Sequence, residues 1–269
     1  MTRRAPATAA AIVIMAMMLG ACQSSPPLPA LTDPREILAA AVTSTSAAKS
    51  VRIDGAADGT VGLDLAGSEA ASAVELTGTT FSADLDLEGG DARATFSAPG
   101  LLGLTGEAIV VEGTVYLKTT LTGALYRTFG GGGEIPEPSG AARTTILDGL
   151  TGLLGSPEIA PVKAEDVACG NTTCYRVEIA LTPADLAALG AGDLQAPTGL
   201  PIPIPLPDLT AATVQLTVLV AKDTRRLAGL AADADLGPDG AAALDLTFSK
   251  WDEAVSISAP PPDQVAPGG

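Results

Sequence analysis

From Val51 onward the apolar residues of this chain fall on every second position, and that period fixes the backbone they can occupy. Val61, Leu63 and Leu65 alternate with Gly62 and Asp64. Phe81, Ala83, Leu85 and Leu87 alternate with Ser82, Asp84 and Asp86, and Ala92, Ala94 and Phe96 with Arg93 and Thr95. Successive side chains of a strand point to opposite faces, so each segment has one dry face and one wet face, the pattern of antiparallel sheet. Residues 109–117 read as a hairpin with Glu112-Gly113 near its turn. Strands resume at Tyr175, Val177, Ile179 and Leu181. They return over 214–220, 227–236 and 244–248, with 255–257 as a short last strand.

Helices interrupt this order. Asp33 can cap a helix, Pro34 suits its first position and Glu36 stands three residues after the cap. Ile37, Leu38, Ala41 and Val42 then repeat at helical spacing to about Ala48. A second helix is expected over about 141–154, with Ile146, Leu147, Leu150, Leu153 and Leu154 as one stripe. Thr182-Pro183-Ala184-Asp185 starts a short third. The four glycines at 130–133 read as a flexible loop. Pro201, Pro203, Pro205 and Pro207 alternate with Ile202, Ile204 and Leu206, an extended segment barred from a central strand. It reads as a stiff connector, with a gate over a ligand as the alternative. The order helix, sheet, helix, sheet predicts an α+β fold: one long curved antiparallel sheet with helices against its dry face.

Composition removes several functions. The chain holds 15 Lys and Arg against 31 Asp and Glu, a net charge of −16, and such a surface repels nucleic acid. With no His anywhere, Ser-His-Asp and Cys-His catalysis fall away, together with the commonest zinc ligand. No Gly-x-Ser-x-Gly occurs either. No catalytic residue, metal ligand or cofactor is assigned, and the chain is not expected to be an enzyme.

Arg3 and Arg4 precede an apolar run of about 9–19 that ends in Leu19-Gly20-Ala21-Cys22. A charged start, a short apolar core and small residues at its end describe a secretory signal peptide rather than a membrane span. A Cys after Leu-Gly-Ala resembles the lipobox of bacterial lipoproteins. That resemblance implies cleavage after Ala21, acylation of Cys22, and a protein held by lipid on the extracytoplasmic face of the cell membrane. Residues 1–21 are then the signal peptide and 22–32, polar and Pro-rich, the tether. Residues 33–259 form the domain, and 260–269, rich in Pro and Gly, a disordered tail. Cleavage removes two of the basic residues, leaving 13 against 31 acids, so the anchor rather than charge must hold the protein on anionic lipid. Cys169 and Cys174 enclose Gly170-Asn171-Thr172-Thr173; outside the cytoplasm such a pair reads as a disulfide at a hairpin tip.

The C-terminal run Leu246-Thr247-Phe248-Ser249-Lys250-Trp251-Asp252-Glu253, with Val255-Ser256-Ile257 and Pro260-Pro261 after it, resembles the end of the LppX/LprA/LprF/LprG lipoprotein family. Ala47-Ala48-Lys49-Ser50 resembles the end of that family's first helix, and Val111-Glu112-Gly113-Thr114-Val115-Tyr116 its central hairpin. Phe129-Gly130 falls at its aromatic-then-Gly turn and residues 147–154 at its Leu-rich second helix. These matches are collinear and span the mature chain. The resemblance implies a half-open β-barrel, related in shape to the carrier LolA, whose helices cover a large hydrophobic cavity. It also implies a lipid or glycolipid ligand carried across the envelope, sometimes beside a membrane exporter. The Cys169/Cys174 pair and the Pro-rich run depart from the family pattern. Candidates for the cavity wall are Phe96, Val111, Val115 and Leu117 from strands, with Leu147, Leu150 and Leu154 from the second helix. Their alternative role is ordinary core, in a structural or adaptor lipoprotein without bound lipid.

Overall fold

A computed structural model describes residues 28–63, 72–129, 148–189 and 211–267. Contacts divide the chain into Met1–Ala30, of which only 28–30 are described, and Leu31–Gly269. The second unit is one antiparallel sheet of 13 strands with short helices. The N-terminal half supplies β1 (Ser50–Leu63), β2 (Ser72–Glu75), β3 (Thr79–Asp86), β4 (Ala92–Ala98), β5 (Leu104–Val111), β6 (Thr114–Thr119) and β7 (Arg127–Phe129). The C-terminal half supplies β8 (Val162–Lys163), β9 (Val167–Cys169), β10 (Thr172–Leu181), β11 (Thr213–Ala221), β12 (Leu227–Asp235) and β13 (Gly240–Ser249). Neighbours run β7-β6-β5-β4-β3-β1-β13-β12-β11-β10-β8, with β2 on β1 and β9 on β10. The halves therefore join where the first strand pairs with the last, from Arg52↔Ser249 to Val61↔Gly240.

β1 is long enough to serve two partners on one edge: Ser50 to Ala57 pair with β3, and Thr60 to Leu63 with β2. Gly59 sits at the changeover with φ +109°, where a Cβ would stand 2.2 Å from the carbonyl oxygen of Ala241. Both the backbone angle and the close approach require glycine there. The hairpin expected over 109–117 forms, with Glu112 and Gly113 both at positive φ in its two-residue turn.

Helix α1 (Pro34–Ser46) begins where the sequence places it: the Asp33 carboxylate accepts from the Arg35 and Glu36 amides. It stops two residues short of Ala48. Its Ile37, Leu38 and Ala41 enter one core with Val177, Val218 and Val220 of the sheet. The described part of α2 is 148–155. Its expected start, the glycine loop and the Pro-rich run 201–207 lie outside the described residues, as does Cys22. Helix α3 (Pro183–Ala188) begins with a capping box between Thr182 and Asp185.

Two expectations are corrected. Residues 255–257 alternate but form no strand, because both edges of β13 are already taken by β1 and β12. The segment after Ala259 was expected to be disordered, yet 260–267 is docked. Pro260 is buried, and Tyr126 exchanges backbone bonds of 2.8 Å with Gln264 and Ala266. A Pro-rich chain can still dock through its carbonyls and its remaining amides. From Glu253, whose carbonyl accepts from the Ser50 hydroxyl (2.6 Å), the chain passes beside Arg52, Asp84 and Arg93 to reach Tyr126. It straps the polar outer face of the N-terminal half.

Half-buried and exposed ions fix this outer face. The Tyr126 hydroxyl donates to Glu107 (2.6 Å), which also pairs with Arg93 (2.5 Å) and Lys118 (3.4 Å). Burial pushes the Glu107 carboxyl up, but Tyr126 and the two cations together hold it below its ordinary 4.5. Asp54 is held below 3.8 first by the Ser82 hydroxyl and then by Arg52, and Asp252 first by the Lys49 amide and then by Arg226. A carboxyl whose folded pKa is depressed gives stability that is fully present above its unfolded value and lost as pH falls through the folded value. The urea midpoint should therefore be level from neutral pH to about 5 and fall steadily below about 4.5. A midpoint that holds to pH 3 would contradict this account.

One cation holds α1 to α2. The Arg35 guanidinium donates to the carbonyls of Leu154 (2.9 Å), Ser156 (3.1 Å) and Ile159 (2.6 Å), at and just beyond the end of α2. Terminal carbonyls of a helix have no partner within it, and a cation there also meets the negative end of the helix dipole. Arg35→Ala should lower unfolding free energy by about 1.5–3 kcal/mol, the usual worth of hydrogen bonds to a charged group. Equilibrium urea unfolding measures it.

Candidate functional site

Register carries one face of the sheet, side chain by side chain, from end to end. In the C-terminal half Ile179, Leu216, Ala232 and Leu244 stand opposite one another in sequence, and Leu244 stands opposite Ala57 of β1. In the N-terminal half Ala83, Ala94, Ala108 and Leu117 form a matching row. Directly opposed residues share a face, so these rows lie on the face that also carries the core.

The cover over this face is uneven. At the strand ends marked by Val51, Leu85, Ala92, Val110, Leu227 and Phe248 the inner residues are buried. Nearer the other ends, Phe81, Ala94, Phe96, Ala108, Leu216, Ala232 and Leu244 stay partly exposed. Small residues and flattened rings keep this part of the floor low. A Cβ on Gly55 would lie 2.2 Å from the Phe81 ring, and one on Gly106 would lie 2.4 Å from the Phe96 ring. Each ring thus lies across the glycine of the strand beside it, although Phe81 and Phe96 are themselves opposed. A groove of about 560 Å³ lies elsewhere, beside the β9–β10 hairpin, and Cys169, Leu219, Gly229, Ala231, Thr247 and Trp251 help to line it.

The candidates separate on this geometry. Leu150 is buried in the main apolar core, and Val115 and Leu154 pack against it. Phe96 and Leu117 share the inner face at its half-exposed part. Val111 does not: Val110 is opposed to Ala92, so Val110 points inward and Val111 outward. The run Ile109-Val110-Val111 has no polar member to mark the faces. Leu147 lies outside the described residues. The inner residues of β11 to β13 were missed as candidates, although Val214, Leu216, Val218 and Val220 alternate plainly. In β12 the pairing shifts between Leu219 and Val220, so Leu227 and Leu230 both face inward at a spacing of three. That irregularity hides the strand's period.

Cys169 and Cys174 form the expected disulfide, with Cα atoms 5.8 Å apart, across the Gly170-Asn171 turn. Beside it the Tyr175 ring is approached by Lys222 (5.0 Å), Arg225 (5.1 Å) and Lys163 (5.8 Å), and its hydroxyl accepts from the Leu31 amide (2.9 Å). Burial raises the Tyr175 hydroxyl, but Arg225 and the Leu31 amide bring it below its ordinary 10. Among the described residues no group of His, Cys, Asp or Glu is arranged to hold a metal ion. No helix among them is long and apolar enough to cross a membrane.

No protein-family model matches the chain, and no curated protein sequence matches it. Solved structures do. LprF from Mycobacterium bovis aligns with 84% of this chain and 96% of its own, at 16% identity and a TM-score of 0.52. The Mycobacterium tuberculosis lipoprotein LppX aligns with 84% of this chain and 98% of its own, at 14% identity and a TM-score of 0.49. A LolA superfamily protein from Nitrosomonas europaea covers 87% and 96% of the two chains, at 9% identity and a TM-score of 0.26, too low to bear on the fold. The large antiparallel half-barrel of this chain is the fold of LprF.

Proposed function

We propose that this protein is a lipid-anchored envelope carrier. It holds the acyl chains of a lipid or glycolipid against the inner face of its half-barrel and moves them across the cell envelope. The observation that carries the reading is the uneven cover of that face: apolar from strand to strand, buried at one end and half-exposed farther along, over a stretch of alanine, glycine and flattened rings. Acyl chains need no catalytic group to bind there. Each methylene sheltered is favourable by about 0.8 kcal/mol, so ten bring about 8 kcal/mol before the chain's ordering costs. The fold shared with LprF supports the reading, as does the lipobox-like Leu-Gly-Ala-Cys sequence.

Native mass spectrometry of protein extracted from its own membranes should show a bound mass in the range of an acyl lipid. Ala94→Phe raises the floor between Ala83 and Ala108, so bound lipid should fall several-fold while the melting temperature holds or rises. Val111→Trp, on the outer face, should leave bound lipid unchanged. A packed core would answer differently, with strain of about 1–3 kcal/mol on overfilling. An Ala94→Phe protein that melts lower, from a parent carrying no lipid, would leave the adaptor reading instead.

The anchor has its own test. Cys22→Ser should release the protein from membranes into the soluble fraction. A mutant that still sediments with membranes at the parent mass would end the lipoprotein reading.

A further inference from the structure

Two neighbouring turns at the half-exposed end of the sheet are apolar, uncharged and open to solvent. The β4–β5 turn carries Leu102, which is 95% exposed, and the β6–β7 connection carries Leu121 at 63% and Leu125 at 39%. They are held side by side: the Thr120 amide donates to the Thr105 carbonyl (2.9 Å), and the Thr105 amide to the Thr120 hydroxyl (3.3 Å). In a chain of net charge −16, no charged residue occurs from Ala94 to Gly106 or from Thr119 to Tyr126. Glu75 packs its backbone against Gly100, but its carboxylate accepts from the hydroxyls of Thr77 (2.5 Å) and Thr60 (3.2 Å).

Folding gives no reason for a leucine at 102. Its φ is +55°, in the left-handed region that favours Gly or Asn, and its side chain touches little of the protein. Backbone strain and exposure to water both count against it. The turn is nonetheless rigid, with Leu101 N–H on the Ala98 carbonyl (3.1 Å) and Gly103 N–H on the Pro99 carbonyl (2.9 Å). Leu101 beneath it packs on the core. A rigid turn that presents leucine outward, beside a second that does the same, suits a surface of matching chemistry.

We propose that the paired turns around Leu102 and Leu121 dip into the interface of a lipid bilayer. A bilayer fits better than a protein partner for two reasons. Neither turn exposes a charge or the aromatic and Arg anchors that enrich protein interfaces, since Tyr126 in the second is buried. Both also continue directly into the strands that bear Phe96, Ala108 and Leu117, so the half-exposed floor opens beside the contact. A lipid could then pass between bilayer and floor with little exposure to water. The chain enters this unit at Leu31 beside Tyr175, at the other ends of the strands. Contact at the turns is therefore distinct from attachment through the N-terminal segment. The purpose of the contact rests on the carrier reading; the contact itself does not.

The protein has one tryptophan, Trp251, at the strand ends away from these turns. Protein purified from its own membranes would be reconstituted into phosphatidylcholine/phosphatidylglycerol vesicles, with or without bromine on the acyl chains, as parent and as Leu102→Trp. The added emission of Leu102→Trp should lose about half its intensity or more in brominated vesicles, and Leu121→Asp in that background should restore it. Leu121→Trp serves if Leu102→Trp does not fold. Added emission equally bright in both vesicles overturns the proposal. So does a blue-shifted emission in lipid-free solution that tracks concentration-dependent self-association, which would make the patch a contact between copies. Native mass spectrometry on the same preparations reads the acyl ligand separately, so failure of the contact and failure of the carrier reading are told apart.

Discussion

Everything in this structure depends on twelve junctions between strands keeping the same face dry. A slip of one residue at any junction would turn a whole strand's apolar side chains to water. The junction with most at stake is β1 with β13, because it joins the two halves of the chain. Gly59 lets β1 turn from one partner to the next without losing that register. Helices then need only cover what the register has gathered, and Arg35 ties two of them together through their backbones.

The sequence made the sheet readable and left its inner surface half readable. Where polar residues alternate strictly with apolar ones, as in 81–87 and 214–218, the face of each residue follows directly. Where three apolar residues run together, as at Ile109-Val110-Val111, the period carries no phase, and Val111 was assigned to the wrong side. Where a strand is irregular, as between Leu227 and Leu230, the spacing misleads. The start of α1 was legible because Asp33 acts locally on the next two amides. The docking of 260–267 was not, because its partner Tyr126 lies more than 130 residues away in sequence and composition there suggested only disorder. The disulfide was legible from its spacing and from the compartment that a lipobox-like start implies, while the three cations around Tyr175 come from separate parts of the chain.

The two faces of the sheet are built on different physics. Outside, Arg52 with Asp54 and Asp84, and Glu107 with Arg93 and Lys118, fix side chains through charge at the water surface. Inside, little directional is present among the described residues: valine, isoleucine, leucine, alanine, glycine and rings laid flat. A surface of that kind is suited to flexible apolar chains of varied length, since it asks for no particular hydrogen bond. Selectivity for a headgroup would have to come from its rim.

The seam between β1 and β13 also sets the order of assembly. β1 is synthesised before every other strand, and its β13 partner is complete only at Ser249. Until then one edge of β1 has β3 and β2, while the other stands open with its amides and carbonyls unpaired. Pairing across nearly two hundred residues is slow, because the connecting chain must lose its freedom before the pairing rewards it. The N-terminal half therefore waits, exposed, for the last strand to arrive, and a chain truncated before residue 240 would have no way to close its sheet.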